Sequence, residues 1–223
     1  MNLSSHAFSP ETTKQETADV VTVDETAALV KIFDEGCRIV VLRRPLLASL
    51  QADAAKLAAE PRLKIVATTN ADGSGLKGLH PLLDETRALR EDIQFWVEVL
   101  SELTGAREMG VRLARLDQAM CPRFHTDRVT VRLVCTYAGP ATEYLTERDV
   151  ERTRLACHVR SPDAEGAGVV REGGAVRAAT CGDIVLLKGE LWPDRPALGA
   201  VHRSPRVEPG QGRLVMTLDP LAP

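Results

Sequence analysis

Residues 121–137, CPRFHTDRVTVRLVCTY, decide how this chain is read. The run from Val129 to Tyr137 is strand-like, and just ahead of it stand His125 and Asp127, separated by one residue. In an extended segment two such side chains leave the backbone on the same face. An imidazole nitrogen and a carboxylate oxygen placed that way can reach one cation. Outward from this segment, short strand-like runs alternate with turns: Val111–Leu116, Ala175–Thr180, Ile184–Lys188, Ala200–His202 and Arg213–Leu218. Several short strands with turn signals between them point to a sandwich, jelly roll or barrel.

The N-terminal half has a different character. Residues 1–24 are rich in Ser, Thr and Glu without an apolar period, and read as a mobile arm. Cys37–Leu42 is a strand candidate, as is Leu63–Thr68. Between them, Leu46, Leu47, Leu50, Ala54, Leu57 and Ala58 recur at helical spacing until Pro61. A second amphipathic helix runs from about Glu91 to Leu103 with an inner stripe of Ile93, Trp96, Val97, Leu100 and Leu103, and Gly105 marks its end. The expected organisation is one domain over 25–223, with 25–109 as a helical and strand buttress and 110–223 as a metal-binding core. The Gly-rich stretch Ser161 to Gly174 reads as a surface excursion or a lid.

Composition removes several function classes. With 28 basic and 31 acidic residues the net charge is -3, so no basic field exists to neutralise phosphates, and 4% aromatics leave little for base stacking. Nucleic acid is therefore not an expected partner; a small molecule is. There is neither a signal-peptide pattern nor an apolar run long enough to span a bilayer, so no membrane partner is expected. Five cysteines at irregular spacing do not form a secreted disulfide framework. A cytoplasmic protein is the expectation. P-loop, Rossmann and nucleophile-elbow patterns are missing.

A metal held by His125 and Asp127 needs a third ligand from a distant strand, and His202, 75 residues beyond Asp127, is the natural candidate. Two histidines and one carboxylate on one face of a metal make the facial triad suited to non-haem Fe(II), with open positions opposite. Arg213 follows His202 by eleven residues and opens the last strand. A tight turn between the two strands would carry its guanidinium into the same cavity, and a buried guanidinium needs an anionic partner. A dicarboxylate held between the metal and Arg213 meets both needs. Arg203 takes the anchor role if the register slips by one. Tyr137 lies an even number of residues beyond Asp127. Unbroken alternation places it on the inward face, its hydroxyl either touching a bound carboxylate or serving as the satisfied tip of a core residue, while Arg132 and Thr136 face away.

This pattern resembles the iron- and 2-oxoglutarate-dependent oxygenases over about residues 110–220. The resemblance implies His125, Asp127 and His202 as iron ligands and catalytic centre, Arg213 as anchor for 2-oxoglutarate, and Gly182-Asp183 as the turn into a mid-barrel strand. It also implies the fold: an α+β chain, mainly β in its core, forming a double-stranded β-helix (a cupin-like jelly roll) buttressed by N-terminal helices. Hydroxylation is the reaction this triad most favours. Across most of its length the chain is also similar to the domain of unknown function 1826 family. That similarity rests on the segment from Cys121 to Asp127, on Val131–Tyr137, on Gly182 to Glu190, and on His202 to Ser204 with Pro205. Cys121 is a departure from the oxygenase pattern. A thiolate beside two imidazoles favours zinc, which gives the alternative reading of a zinc-binding jelly-roll protein that handles metal without oxygenase activity.

Overall fold

In the computed structural model, residues 18–155, 168–193 and 198–221 are described. Among them ten strands and three α-helices follow in chain order. They are β1 (Val20–Val23), β2 (Ile39–Leu42), α1 (Ala48–Ala58), β3 (Lys64–Asn70), α2 (Pro81–Glu85), α3 (Arg87–Thr104), β4 (Glu108–Leu116), β5 (Val131–Ala138), β6 (Glu143–Tyr144), β7 (Arg177–Ala178), β8 (Ile184–Lys188), β9 (His202–Arg203) and β10 (Arg213–Pro220). Seven strands form one sheet in the order β1-β2-β8-β5-β10-β4-β3, and three form a small sheet in the order β7-β6-β9. All neighbours are antiparallel except β1 and β2.

The period of two along each strand explains the layering. Val131, Leu133, Cys135 and Tyr137 of β5, Ile184 and Leu186 of β8, and Leu214, Met216 and Leu218 of β10 point to one face, where α1 and α3 cover them. The α3 stripe of Leu89, Ile93, Trp96, Val97 and Leu100 is buried there. Each such side chain contributes about 1.5–3 kcal/mol on burial. Gly105 closes α3 in the left-handed conformation, φ 71°, as its sequence position predicts. On the opposite face, Ile39, Val41, Val134, Val185, Leu187 and Val215 pack against Tyr144, Ala179 and Ala200 around the small sheet. The order is thus helices, large sheet, small sheet, and the two apolar layers share β5, β8 and β10. A partly buried polar cluster pins the helical layer: Arg44 forks onto Asp92 of α3 at 2.6 and 2.9 Å and lies over the Trp96 ring at 5.0 Å.

One expectation about organisation is corrected. The arm was expected to reach residue 24, but Val20–Val23 form β1, paired in parallel with Ile39–Leu42. A lone edge strand carries no periodic signal of its own until β2 lies beside it. Residues 25–109, expected as a helical and strand buttress within the single domain, also supply strands to the sheet. β2 pairs with β8, and β3 pairs with β4 along its whole length, so N-terminal strands extend the C-terminal sheet on both sides. Residues 1–17 of the expected arm, and 161–167 of the Ser161 to Gly174 stretch, lie outside the described residues. No described helix is long and apolar enough to cross a membrane.

Candidate metal centre

His125 lies outside the named strands but makes an isolated antiparallel bridge to His202, the first residue of β9. Each residue's N–H donates to the other's carbonyl at 3.0 Å. This pairing sets the two imidazoles side by side, ring centroids 4.6 Å apart. His125 Nδ1 is 2.9 Å from the Arg123 carbonyl and His202 Nδ1 is 3.0 Å from the Ala200 carbonyl. A carbonyl only accepts, so both Nδ1 atoms carry a proton; each Nε2 donates to Asp127 when its ring is charged and offers a lone pair to a cation when its ring is neutral. Both Nε2 atoms face Asp127, at 3.5 Å from Oδ1 for His125 and 3.2 Å from Oδ2 for His202. One donor atom from each of the three residues lies within 4.8 Å of the others. Among the described residues, His125, Asp127 and His202 are thus brought together as a group able to hold a metal ion.

The loop carrying Asp127 is clamped by the turn after β8. Gly189 N–H donates to the Thr130 carbonyl at 2.8 Å, Glu190 N–H to the Asp127 carbonyl at 2.9 Å, and Leu191 N–H to the Val129 carbonyl at 3.1 Å. The Thr126 hydroxyl also bonds the Glu190 carboxylate. The approach is close enough to require glycine, since a Cβ at residue 189 would sit 1.8 Å from the Val129 carbonyl oxygen.

Charge around the triad is asymmetric. Burial alone would raise the Asp127 carboxyl, but hydrogen bonds from His125 and His202 and the charge of Arg132 hold it well below the usual carboxylate range. Burial opposes protonation of His125, yet the Asp127 carboxylate and the Arg123 carbonyl raise it above an ordinary histidine. Asp127 is thus an anion facing two oriented imidazoles, a hard oxygen and two borderline nitrogens. Arg132 Nη1 donates to Asp127 Oδ2 at 2.6 Å, and the same guanidinium forks onto Asp219 of β10 at 2.7 and 2.7 Å.

Beside the triad, a cavity is bounded by His125, His202, Arg213, Thr142, Val134 and Val215, among others. Arg213 is 2% exposed. Its Nη1 donates to the Ser204 hydroxyl at 3.3 Å, and its Nη2 to Thr136 at 3.2 Å and Thr142 at 3.0 Å. Nε has no partner. Among the described residues no carboxylate pairs with this guanidinium, and burial draws its pKa down to about 10. Arg203, the alternative anchor, lines the same cavity but is held by Glu143 at 2.5 Å and lies over the Phe124 ring at 4.4 Å. Of the two arginines, only Arg213 stands without an acidic partner among the described residues.

Tyr137 is the site residue the structure moves elsewhere. It lies in the core under the helices, its hydroxyl donating to Asp92 at 2.7 Å. The count from Asp127 fails because residues 126–130 are not a strand, so parity does not carry across them. Arg132, Val134 and Thr136 take the triad's face instead. The polar residues at alternate positions within Val131–Tyr137 are the signal that would have shown this. The same phase in β10 places Arg213, Val215, Thr217 and Asp219 on that face. Sequence reasoning missed Arg132, Asp219, Thr136, Thr142 and Ser204 as neighbours of the site. Cys121 is exposed and borders the cavity, but its thiol is not among the converging donor atoms.

Layered sheets with two imidazoles and a carboxylate converging at one end define a β-rich protein with a candidate mononuclear metal centre. The chain belongs to the DUF1826 family, described as proteins of unknown function, whose model matches residues 23–219. No curated protein matches it by sequence. Its fold is similar to that of the dioxygenase for auxin oxidation from rice, at 14% identity and a TM-score of 0.54, covering 92% of this chain and 83% of that one. It is similar as well to dioxygenase for auxin oxidation 1 from Arabidopsis thaliana in its binary complex with 2-oxoglutarate, at 10% identity and a TM-score of 0.52, covering 92% and 93%. At such identities the likeness is one of fold.

Proposed function

We propose that the chain is a non-haem Fe(II)- and 2-oxoglutarate-dependent oxygenase, a hydroxylase of a small-molecule substrate, built on a double-stranded β-helix whose two sheets are those described above. One observation carries the reading: a buried guanidinium, without an acidic partner among the described residues, shares a cavity with two histidines whose donor atoms converge with that of Asp127. A buried charge without a counterion is costly, and a dicarboxylate reaching from the triad to Arg213 would supply the missing partner. The fold likeness to a protein that binds 2-oxoglutarate supports the same co-substrate.

In this reading His125, Asp127 and His202 would hold iron, the two histidines through Nε2 and Asp127 through a carboxylate oxygen. Iron with 2-oxoglutarate supplies the activation of dioxygen that the class performs. The chain's own residues do the rest. The Arg123 and Ala200 carbonyls fix the ring orientation of the histidines. Arg213 takes the far carboxylate, its guanidinium aimed by the hydroxyls of Thr136, Thr142 and Ser204. Val134 and Val215 give the cavity aliphatic walls that exclude water.

The test starts from protein purified without oxygen and given Fe(II) and 2-oxoglutarate. The expected results are the weak visible charge-transfer band of the chelate and release of succinate on admitting air. His202→Ala should lose tight iron binding. Stoichiometric zinc with neither band nor succinate would favour the metal-handling alternative.

A further inference from the structure

Arg132 occupies a position that neither ligation nor co-substrate binding explains. It sits second in β5, its guanidinium bonded on one side to Asp127 and on the other to both oxygens of Asp219. The bidentate contact with Asp219 fixes the plane of the guanidinium, because a planar fork on a carboxylate has one favoured orientation. The remaining Nη1 then meets Asp127 Oδ2 from a fixed direction. Asp127 and Arg132 are largely buried, with side chains 15% and 23% exposed, and Asp219 is 26% exposed, so solvent screens these contacts weakly.

We propose that Arg132, braced by Asp219, is the positioning residue of the metal centre: it holds the Asp127 carboxylate in place and presents one of its oxygens to the cation. This rests on the metal-site reading above. Without Arg132 the carboxylate is free to turn about its terminal torsion, and the two imidazoles alone do not fix it. Asp219 has a second effect. A lone guanidinium next to a cation site repels the incoming ion, and the Asp219 charge offsets that repulsion. The three charges form a line from the end of β10, through β5, to the loop that carries the ligand.

The test uses Co(II) added to the full-length protein without 2-oxoglutarate, read by titration and by the visible spectrum of bound cobalt. Arg132→Met should weaken cobalt affinity by about 10–100-fold, the usual effect of removing a residue that orients a ligand, and should alter the cobalt bands. Arg132→Lys keeps a donor to Asp127 but loses the fork, so it should recover part of the affinity. Asp219→Asn should weaken binding in the same direction, and it preserves the size of the side chain if Arg132→Met folds poorly. Melting curves of the metal-free variants separate loss of the site from loss of the fold. If the unsubstituted protein takes up no cobalt, the metal-site reading itself fails. If it does, and both Arg132→Met and Asp219→Asn bind cobalt with unchanged affinity and spectrum, the positioning role is overturned while the metal site stands.

Discussion

Arg213 gives the sharpest prediction, because its environment makes opposite demands with and without a ligand. The side chain is 2% exposed, its contacts are three neutral hydroxyls, and burial pulls its pKa from 12.5 to about 10. A shift of that size corresponds to about 3 kcal/mol working against the charged form. Replacing the guanidinium by an apolar chain of similar length, Arg213→Met, removes that penalty at the cost of three hydrogen bonds to hydroxyls, each worth about 1–2 kcal/mol net. Without ligand, the variant should therefore lie between equal stability and a loss of about 3 kcal/mol. The ligand-bound comparison should be very different. Losing one partner of a buried, hydrogen-bonded charge pair costs about 2–5 kcal/mol, roughly 30-fold or more in affinity. The assay is thermal melting and titration calorimetry of manganese-loaded protein with 2-oxoglutarate. The unsubstituted protein should gain melting temperature with the dicarboxylate and Arg213→Met should gain little, while manganese affinity stays the same in both. A variant that is far less stable without ligand, yet gains as much from 2-oxoglutarate as the original, would refute the reasoning.

Three other outcomes can be checked. Gly189→Ala would force a methyl group against the Val129 carbonyl oxygen, so we expect a loss of about 1–3 kcal/mol in urea unfolding together with weakened metal uptake; normal values for both would mean the β8 turn does not clamp the loop of Asp127. Asp149 is buried, accepts from the Thr146 hydroxyl, and pairs with Arg177 at 2.5 Å; burial alone would raise its carboxyl, but these bonds lower it to about 2. Its folded value lies below the unfolded value near 4, so its stabilisation is fully present above pH 4 and is lost as pH falls toward 2. Asp149→Asn should flatten that part of the acid limb in denaturation curves, and an unchanged limb would count against the pairing. Burial pushes the Cys37 and Cys135 thiols up to about 11 and about 12, whereas Cys121 and Cys181 are exposed. Alkylation at neutral pH followed by peptide mapping should label Cys121 and Cys181 in the native protein, and Cys37 and Cys135 only after unfolding.

Sequence alone determined the parts of this protein governed by local periodicity and short-range spacing. The stripe from Ile93 to Leu100 specified α3, and Ile184–Lys188 was legible to the residue as a strand. One intervening residue between His125 and Asp127 put both on one side of the chain. The buried Arg213 could be expected from its place eleven residues after His202, as a charge at the head of an apolar strand. The tertiary structure decided what depends on pairing between distant segments. The sequence around Val20 does not show that it joins β2, because a strand's edge is completed only by its neighbour. Nor does a count from Asp127 show which face Tyr137 takes, because the irregular loop at 126–130 breaks the alternation before β5 begins. Asp219 reaches Arg132 across 87 residues of chain because β10 and β5 are adjacent in the sheet. Side-chain direction within a strand is a local property. Which strands lie next to one another is settled only when the whole sheet closes over its two apolar layers.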